Sequence, residues 1–176
     1  MAEAGQTVEL RQNGVRLTFL ATADDTDGKL LRMEMVLEPG GVAPQVHVHP
    51  RQEERLAVRG GTIGWHLDGR EDAAQPGELV VIPRGGAHTA WNAGADPAKA
   101  IVEFEPALRI EDFFVAFGKL AAAGKLKQDG GLRLLDVAVI LGDCPGVIAA
   151  PAPSPVLQRL AQPVLGLVGR ALGYGP

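Results

Sequence analysis

The chain has 176 residues, of which 46% are hydrophobic and 22% are charged, and its formal net charge at pH 7 is −4. This length fits one domain with a substantial core, or one domain with an appendage. The charge is mild and no stripe of lysine and arginine is present, which argues against nucleic acid as a partner. The one cysteine, Cys144, excludes an intrachain disulfide and is compatible with a reducing compartment.

Neither the start of the chain nor its apolar stretches predict secretion or a membrane span. Residues 1–6 have no cationic start and no apolar run, so we expect a cytoplasmic location. The late apolar stretches are interrupted by charged residues and proline. None of them approaches the roughly 20 residues that a membrane-spanning helix needs.

The first predicted elements are strands. Residues 8–12 and 15–20 alternate around Asn13-Gly14, a dipeptide that favours a two-residue type I′ hairpin turn. Residues 30–38 alternate as well, with leucine and methionine on one face and charged residues on the other. This alternation predicts a sheet with one buried face.

The segment 41–61 places two histidines on the same side of one predicted strand. Side chains alternate faces along a strand, so His47 and His49 project together and form a two-nitrogen chelate. After a turn, Glu54 shares the apolar face of the next strand, whereas Glu53 lies on the opposite, charged face. We therefore expect Glu54, rather than Glu53, to point at a metal ion.

Four more strands follow, and the third of them begins with the histidine that completes the set. Residues 62–68 alternate with His66 on the polar side, which predicts that His66 faces solvent. Residues 79–82 form a short apolar strand, and a glycine-containing turn leads to His88 at the start of the next strand. Residues 99–104 complete the predicted sheet, with Glu103 facing solvent.

Three imidazoles and a carboxylate are the usual composition of a site for a divalent transition metal. Inward-facing histidine and glutamate would carry a large desolvation cost in an aliphatic interior, and a bound metal ion removes that cost. We predict that one ion is bound by His47, His49, Glu54 and His88.

From Pro106 onward the apolar spacing becomes helical. Helices are predicted at 110–121, at about 132–141, and after Ser154-Pro155 with a break near Pro163. We therefore divide the chain into a β-domain, 1–106, and a helical extension, 107–176. The helices are too apolar to be free in solvent, so we expect them to pack on the β-domain, over its open end, or against a second subunit.

The two histidine segments resemble both signature motifs of the cupin family, glycine-x5-His-x-His-x4-Glu-x6-glycine and glycine-x5-proline-x-glycine-x2-His-x3-asparagine. The resemblance covers roughly residues 5–106. The matching positions are Gly41, His47, His49, Glu54, Gly61, Gly77, Pro83, Gly85, His88 and Asn92. It implies an all-β core, an antiparallel jelly-roll barrel of the metal-binding, quercetinase-like type, followed by a carboxyl-terminal α-helical extension. A homodimer is expected from the family.

The predicted ligands leave several metals and chemistries open. Fe, Mn, Ni, Co, Cu and Zn all accept imidazole and carboxylate ligands. The leading hypothesis is a metal-dependent dioxygenase acting on a small, apolar or aromatic enol, diol or diketone, as in the cupin members that the motifs resemble. In this scheme Glu54 is both a metal ligand and the catalytic group that takes the substrate proton.

Two alternatives belong to other functional classes. A cupin isomerase or lyase acting on a sugar or keto acid is disfavoured, because no lysine or arginine falls on an inward position and the only tyrosine, Tyr174, lies in the terminal tail. A non-catalytic cupin that binds a metal and a small molecule is the other alternative. In each case the expected partner is a small molecule, and neither nucleic acid nor a membrane is expected.

Overall fold

The computed structural model describes residues 2–43, 45–153 and 155–176. Its strands are β1 (Thr7–Leu10), β2 (Val15–Ala21), β3 (Leu31–Leu37), β4 (Glu53–Gly60), β5 (Ile63–Leu67), β6 (Arg70–Ala74), β7 (Leu79–Ile82), β8 (His88–Asn92) and β9 (Ala98–Glu105). One sheet has the order β1-β2-β3-β9-β4-β7 and the other β6-β5-β8, and all pairs within them are antiparallel. The predicted jelly-roll core is confirmed, and so are helices after it.

Alternation of side chains decides which face of the large sheet is buried. In β4 the buried residues are Glu54, Leu56 and Val58, as predicted, and their neighbours are half-buried or exposed. Strand β4 lies between β9 and β7, which places Glu54 opposite both Phe104 and Ile82. The carboxylate therefore projects from an inner strand of the sheet into an apolar interior.

The first hairpin differs from the predicted two-residue turn. Leu10 pairs with Val15, so the loop has four residues, with a short 3-10 turn followed by Gly14 at φ 63°. This loop packs against a neighbouring one, because a Cβ at Gly14 would lie 3.0 Å from the Cα of Gly41. The backbone carbonyl of Gly14 also accepts a hydrogen bond from the amide of Glu38. Contact with this second loop decides the turn geometry.

Strand β6 was not predicted, because its sequence has no apolar alternation. It is an edge strand whose first four residues are exposed, and it forms backbone pairs with β5. The two strands are joined by Asp68-Gly69, both at positive φ, which is the two-residue hairpin geometry. Charged side chains on such an edge hinder pairing with another chain.

Three helices follow the sheets: α1 (Ile110–Ala122), α2 (Leu134–Asp143) and α3 (Pro155–Ala171). Helix α1 lies against β1 so closely that a Cβ at Gly118 would be 2.6 Å from a methyl carbon of Val8. Its three phenylalanines are buried against the core of the sheets: Phe113, Phe114 and Phe117. Helix α1 therefore covers one end of the β-domain.

Helices α2 and α3 pack on each other through glycine. A Cβ at Gly166 would lie 3.1 Å from the carbonyl oxygen of Ala138, and one at Gly169 would lie 3.0 Å from that of Leu135. The opposite side of α3 is exposed at Leu160 and other apolar residues. Within the described part of the chain, no helix is both long enough and apolar enough to cross a membrane.

The predicted break of the last helix at Pro163 is wrong, since α3 runs through this residue. Pro163 is exposed, so the carbonyl that loses its amide partner four residues earlier can bond to water instead. The predicted cap at Ser154 lies outside the described residues.

The end of the chain is anchored to α2 by Asp136, whose side chain is fully buried. Its carboxylate accepts hydrogen bonds from Arg133 Nε at 2.5 Å and from the backbone amide of Gly175 at 2.9 Å. Burial alone would raise the pKa of Asp136, but Arg133 and the amide of Gly175 outweigh burial and hold this pKa below its usual range. The carboxylate therefore stabilises the fold in its charged form.

Asp136→Asn is expected to lower the free energy of unfolding at pH 7 by about 1–3 kcal/mol, since a charged acceptor of three hydrogen bonds is lost. A lowered folded-state pKa means that this contribution is complete above the unfolded pKa, near 4, and disappears as the pH falls through the folded value. Urea unfolding at pH 7 and pH 3 measures both effects. Asp143→Asn is the control, because Asp143 is exposed on the same helix; an equal loss in both variants would contradict the prediction.

Candidate metal centre

The four predicted ligands lie together at the inner face of the sheets. One ligand atom from each of His47, His49, Glu54 and His88 lies within 4.8 Å of the others. Glu54 is the second residue of β4 and His88 the first residue of β8, so the two sheets contribute one ligand each. His49, Glu54 and His88 are buried, whereas His47 is half-buried.

The two neighbouring histidines do not belong to a regular strand, contrary to the prediction. His47 pairs with His88 through two backbone hydrogen bonds of 3.0 and 2.9 Å, and Val48 pairs with Ala149 on the other side. Successive residues of this segment therefore form backbone hydrogen bonds with different parts of the chain, and the segment does not pair along one neighbouring strand. It is nevertheless extended enough to keep both imidazoles on one side, with 3.1 Å between the Nε2 atoms of His47 and His49.

Hydrogen bonds to backbone carbonyls fix the protonation of the three imidazole rings. In each ring Nδ1 lies within hydrogen-bonding distance of a carbonyl oxygen, which can only accept, so Nδ1 carries the proton. The pairs are His47 with Gln45 at 3.0 Å, His49 with Val147 at 2.5 Å and His88 with Gly86 at 2.9 Å. Each Nε2 of a neutral ring therefore presents a lone pair toward the centre of the site.

The neutral site consists of four acceptor atoms that face one another. Glu54 Oε2 lies 3.3 Å from His49 Nε2 and 2.9 Å from His88 Nε2. Lone pairs at these separations repel unless a positive charge lies between them. Ligands at about 2.0–2.2 Å from a metal ion are about 3 Å apart when they meet at right angles, and the observed distances are similar. The residues present therefore fit a divalent cation.

The pKa values of these groups differ according to their surroundings. Burial and, to a lesser extent, the neighbouring imidazoles of His49 and His88 lower the pKa of His47 to about 3. Burial also opposes protonation of His88, but Glu54 outweighs burial and the pKa of His88 is raised. Burial would raise the pKa of Glu54, yet His49 and His88 hold it well below its usual range. The carboxylate of Glu54 is therefore held in its charged form, which is the form that binds a cation.

A cavity of about 40 Å³ adjoins the cluster. One water needs roughly 10–15 Å³ by the same measure, so the space is equivalent to about three waters. Its wall is aliphatic and aromatic, and no lysine or arginine lines it among the described residues. Three wall residues come from the helical extension: Phe113, Phe114 and Ile148.

The residues expected to lie outside the site are found elsewhere. His66 accepts a hydrogen bond from the amide of Gly69, and Glu53 pairs with Arg55 on the outer face of β4. Glu103 pairs with Arg32. Burial raises the pKa of the Cys144 thiol to about 12, which is typical of a structural cysteine and not of a reactive one.

Sequence reasoning missed Val147 and Ile148, which touch the site from the extension. Val147 contributes a backbone carbonyl, which any residue has, and Ile148 contributes an ordinary aliphatic side chain. No residue type at these positions could have signalled either role.

Comparison with known proteins agrees with the geometry. The model of a family described as "Cupin domain" matches residues 33–104. Germin-like protein 1 of Brassica napus is 40% identical over 118 residues, which are 62% of this chain and 56% of that protein. Germin-like protein 8-14 of Oryza sativa subsp. japonica is 30% identical over 135 residues, 70% of this chain and 62% of that protein. The chain thus spans about three fifths of the length of these relatives.

Solved structures show the same fold. A cupin from Shewanella frigidimarina described as RmlC-like superimposes with a TM-score of 0.52 at 21% identity, covering 64% of this chain and 92% of that one. A protein of Thermotoga maritima described as a predicted oxalate decarboxylase has a TM-score of 0.50 at 20% identity, with coverages of 52% and 80%. At these identities the likeness concerns the fold alone.

Proposed function

The chain belongs to the cupin superfamily, and from this premise we propose that it is a metal-dependent oxygenase acting on a small, apolar enol, diol or diketone. The single observation that supports this proposal most is the cluster of four acceptor atoms at one end of an apolar cavity. Such a cluster can hold a metal ion and still leave one side of it open to a small molecule.

The cavity wall supports a substrate without a large net charge. Its polar groups are the four proposed ligands and Thr89, and its remaining lining is apolar. A phosphate or a second carboxylate would be buried there without a cationic side chain, at a cost of several kcal/mol for an unpaired ion. This argument disfavours the isomerase alternative on phosphorylated sugars and favours ligands that bind through one or two oxygens.

The cavity volume favours the smallest molecules among the expected substrates. About 40 Å³ accommodates a few heavy atoms beyond the ion, whereas pockets for drug-sized ligands measure roughly 300–1,000 Å³. A three- to five-carbon enol or diketone agrees with this space better than a multi-ring aromatic compound.

The protein's own groups would perform three tasks. His47, His49 and His88 would hold the ion, each through Nε2, because each Nδ1 is engaged by a carbonyl. Glu54 would accept the proton of the substrate hydroxyl at Oε2, the oxygen that faces the imidazoles. The apolar wall would exclude water from the ionised substrate. A bound redox-active metal would supply Lewis acidity and a route for electrons to dioxygen.

The proposal is tested by loading the purified chain separately with Fe(II), Mn(II), Ni(II), Co(II), Cu(II) and Zn(II). Oxygen uptake is then followed with pentane-2,4-dione, a small enediol, catechol and a bulky flavonol. We expect uptake that depends on a small substrate with at least one redox-active metal, and none with Zn(II), which has no redox chemistry.

The outcomes separate the functional classes. A ligand that binds in calorimetry and is recovered unchanged without oxygen uptake would identify a non-catalytic binding protein. Conversion of the ligand without oxygen uptake would identify a lyase or isomerase. Either result would overturn the oxygenase proposal while leaving the metal site intact.

A further inference from the structure

We propose that the segment 147–149, here called the strap, positions His49 for metal binding and closes the cavity beside it. The strap follows α2 and is separated from His49 by 98 residues of sequence. The inference rests on the proposed metal site but not on oxygenase activity. It assigns to the helical extension a role in the site.

The strap is attached to the ligand segment by three hydrogen bonds. The amide of Val48 donates to the carbonyl of Ala149 at 3.0 Å, and the amide of Ala149 donates back to the carbonyl of Val48 at 2.9 Å. Nδ1 of His49 then donates to the carbonyl of Val147 at 2.5 Å. The backbone pair and the side-chain bond hold the same two pieces of chain together.

Packing against the hydrophobic core and the end of α2 also holds the strap in place. Val147 is 1% exposed and belongs to the main hydrophobic core. At the end of α2, the buried thiol of Cys144 donates to the carbonyl of Ile140 at 3.1 Å, which fixes the start of the turn that leads to the strap. The position of the Val147 carbonyl, which accepts the hydrogen bond from His49, is therefore fixed by core packing on one side and by the backbone pairing of Ala149 with Val48 on the other.

His49 depends on this distant carbonyl in a way that the other two histidines do not. Nδ1 of His47 and Nδ1 of His88 bond to carbonyls only two residues earlier, so their own turns orient these rings. Without the strap, the ring of His49 would keep its edge-on contact with Phe104, with centroids 5.0 Å apart, and its Nε2 would still lie 3.3 Å from Glu54 Oε2. Neither contact holds the proton on Nδ1.

Ile148 is the residue through which the strap closes the cavity. It lies between the residue that bonds to His49 and the residue that pairs with Val48, and its side chain lines the cavity. The same short segment thus orients a ligand and forms part of the wall. A change in the strap should alter metal affinity, whereas a merely structural contact would alter stability alone.

The first test compares Ala149→Pro with Ala150→Pro in the full chain. Proline at 149 removes the amide that donates to Val48, whereas proline at 150 removes only an amide that donates to Gln158. Titration with Co(II), followed by its visible absorption, measures affinity and coordination. We expect Ala149→Pro to weaken binding by roughly 10–100-fold, the usual cost of losing support for a ligand, and Ala150→Pro to bind like the parent.

The second test needs no metal. Long-range nitrogen-proton correlation spectra of the metal-free chain report which ring nitrogen of His49 carries the proton. We expect the proton on Nδ1 in the parent and in Ala150→Pro, and a mixture of tautomers in Ala149→Pro.

A His49 proton found on Nε2 in the parent would overturn the proposal, as would unchanged affinity and tautomer in Ala149→Pro. If Ala149→Pro does not fold, the spectrum of the parent decides. A parent chain that binds no metal while His49 keeps its proton on Nδ1 would remove the proposed function but retain the orienting bond.

Discussion

Replacing His88 with alanine is expected to weaken metal binding by roughly 10²–10³-fold. Tightly held divalent ions in four-ligand sites gain an apparent free energy of about 10–16 kcal/mol, so an equal share per ligand is about 2.5–4 kcal/mol. His88 is buried, and its Nε2 lies 2.9 Å from Glu54 Oε2, so the replacement removes one of the four acceptor atoms that face the centre of the site. Competition with a chromophoric chelator measures the change for Co(II) or Zn(II).

The matched control is His66→Ala. His66 is the one histidine of the chain outside the cluster, and it lies on β5, next to the strand that His88 opens. We expect its replacement to leave metal affinity unchanged. Equal losses in both variants would show that the change acts through the stability of the small sheet, and an unchanged affinity in His88→Ala would remove His88 from the site.

Glu54→Gln is expected to lower substrate turnover by about 10²–10⁴-fold at saturating metal, the usual contribution of a general base. The amide has nearly the shape of the carboxylate and keeps an oxygen that can bind the ion, but it cannot take the proton of a substrate hydroxyl. This prediction follows from the proposed function. Oxygen uptake at several metal concentrations separates lost turnover from weakened metal binding.

Glu53→Gln provides the control for this replacement. Glu53 is the preceding residue of β4 and pairs with Arg55 on the outer face, so the same chemical change is made on the other side of the strand. Turnover is expected to remain at the parental level. Full activity in Glu54→Gln would assign proton transfer to another group while leaving the ligand role open.

The part of the site that sequence could predict follows from local rules. Period-two alternation predicts Glu54 inward and Glu53 outward, because burial of alternate residues is a property of one strand. The same reasoning placed His47 and His49 on one side, although their segment follows no single strand. An extended backbone alternates its side chains even where its hydrogen-bonding partners change.

The features that sequence could not predict depend on contacts between distant segments. The first hairpin has a longer loop because Gly14 packs on Gly41, and β6 forms because a turn at positive φ returns the chain along β5. The helix around Pro163 continues because this residue is exposed, which its neighbours in sequence do not reveal. In each case tertiary position outweighed local propensity.

The size of the cavity is likewise a property of the assembled molecule. Aliphatic alternation indicated an apolar interior but gave no measure of the space left within it. Phe113 and Phe114 reduce that space from α1, an element whose placement the pattern of apolar residues did not fix. The restriction of the proposed substrates to small molecules therefore follows from the structure and not from the sequence pattern.

The position of the Val147 carbonyl has a consequence for the order in which the molecule is assembled. A chain is synthesised from its amino terminus, and all four imidazole and carboxylate donors leave the ribosome well before the residue that orients His49. During that interval the β-domain can collapse, while one ring is still free to turn and to exchange its proton between two nitrogens. The finished coordination site thus awaits synthesis of the strap, and ions captured earlier would be held less firmly and could still be exchanged.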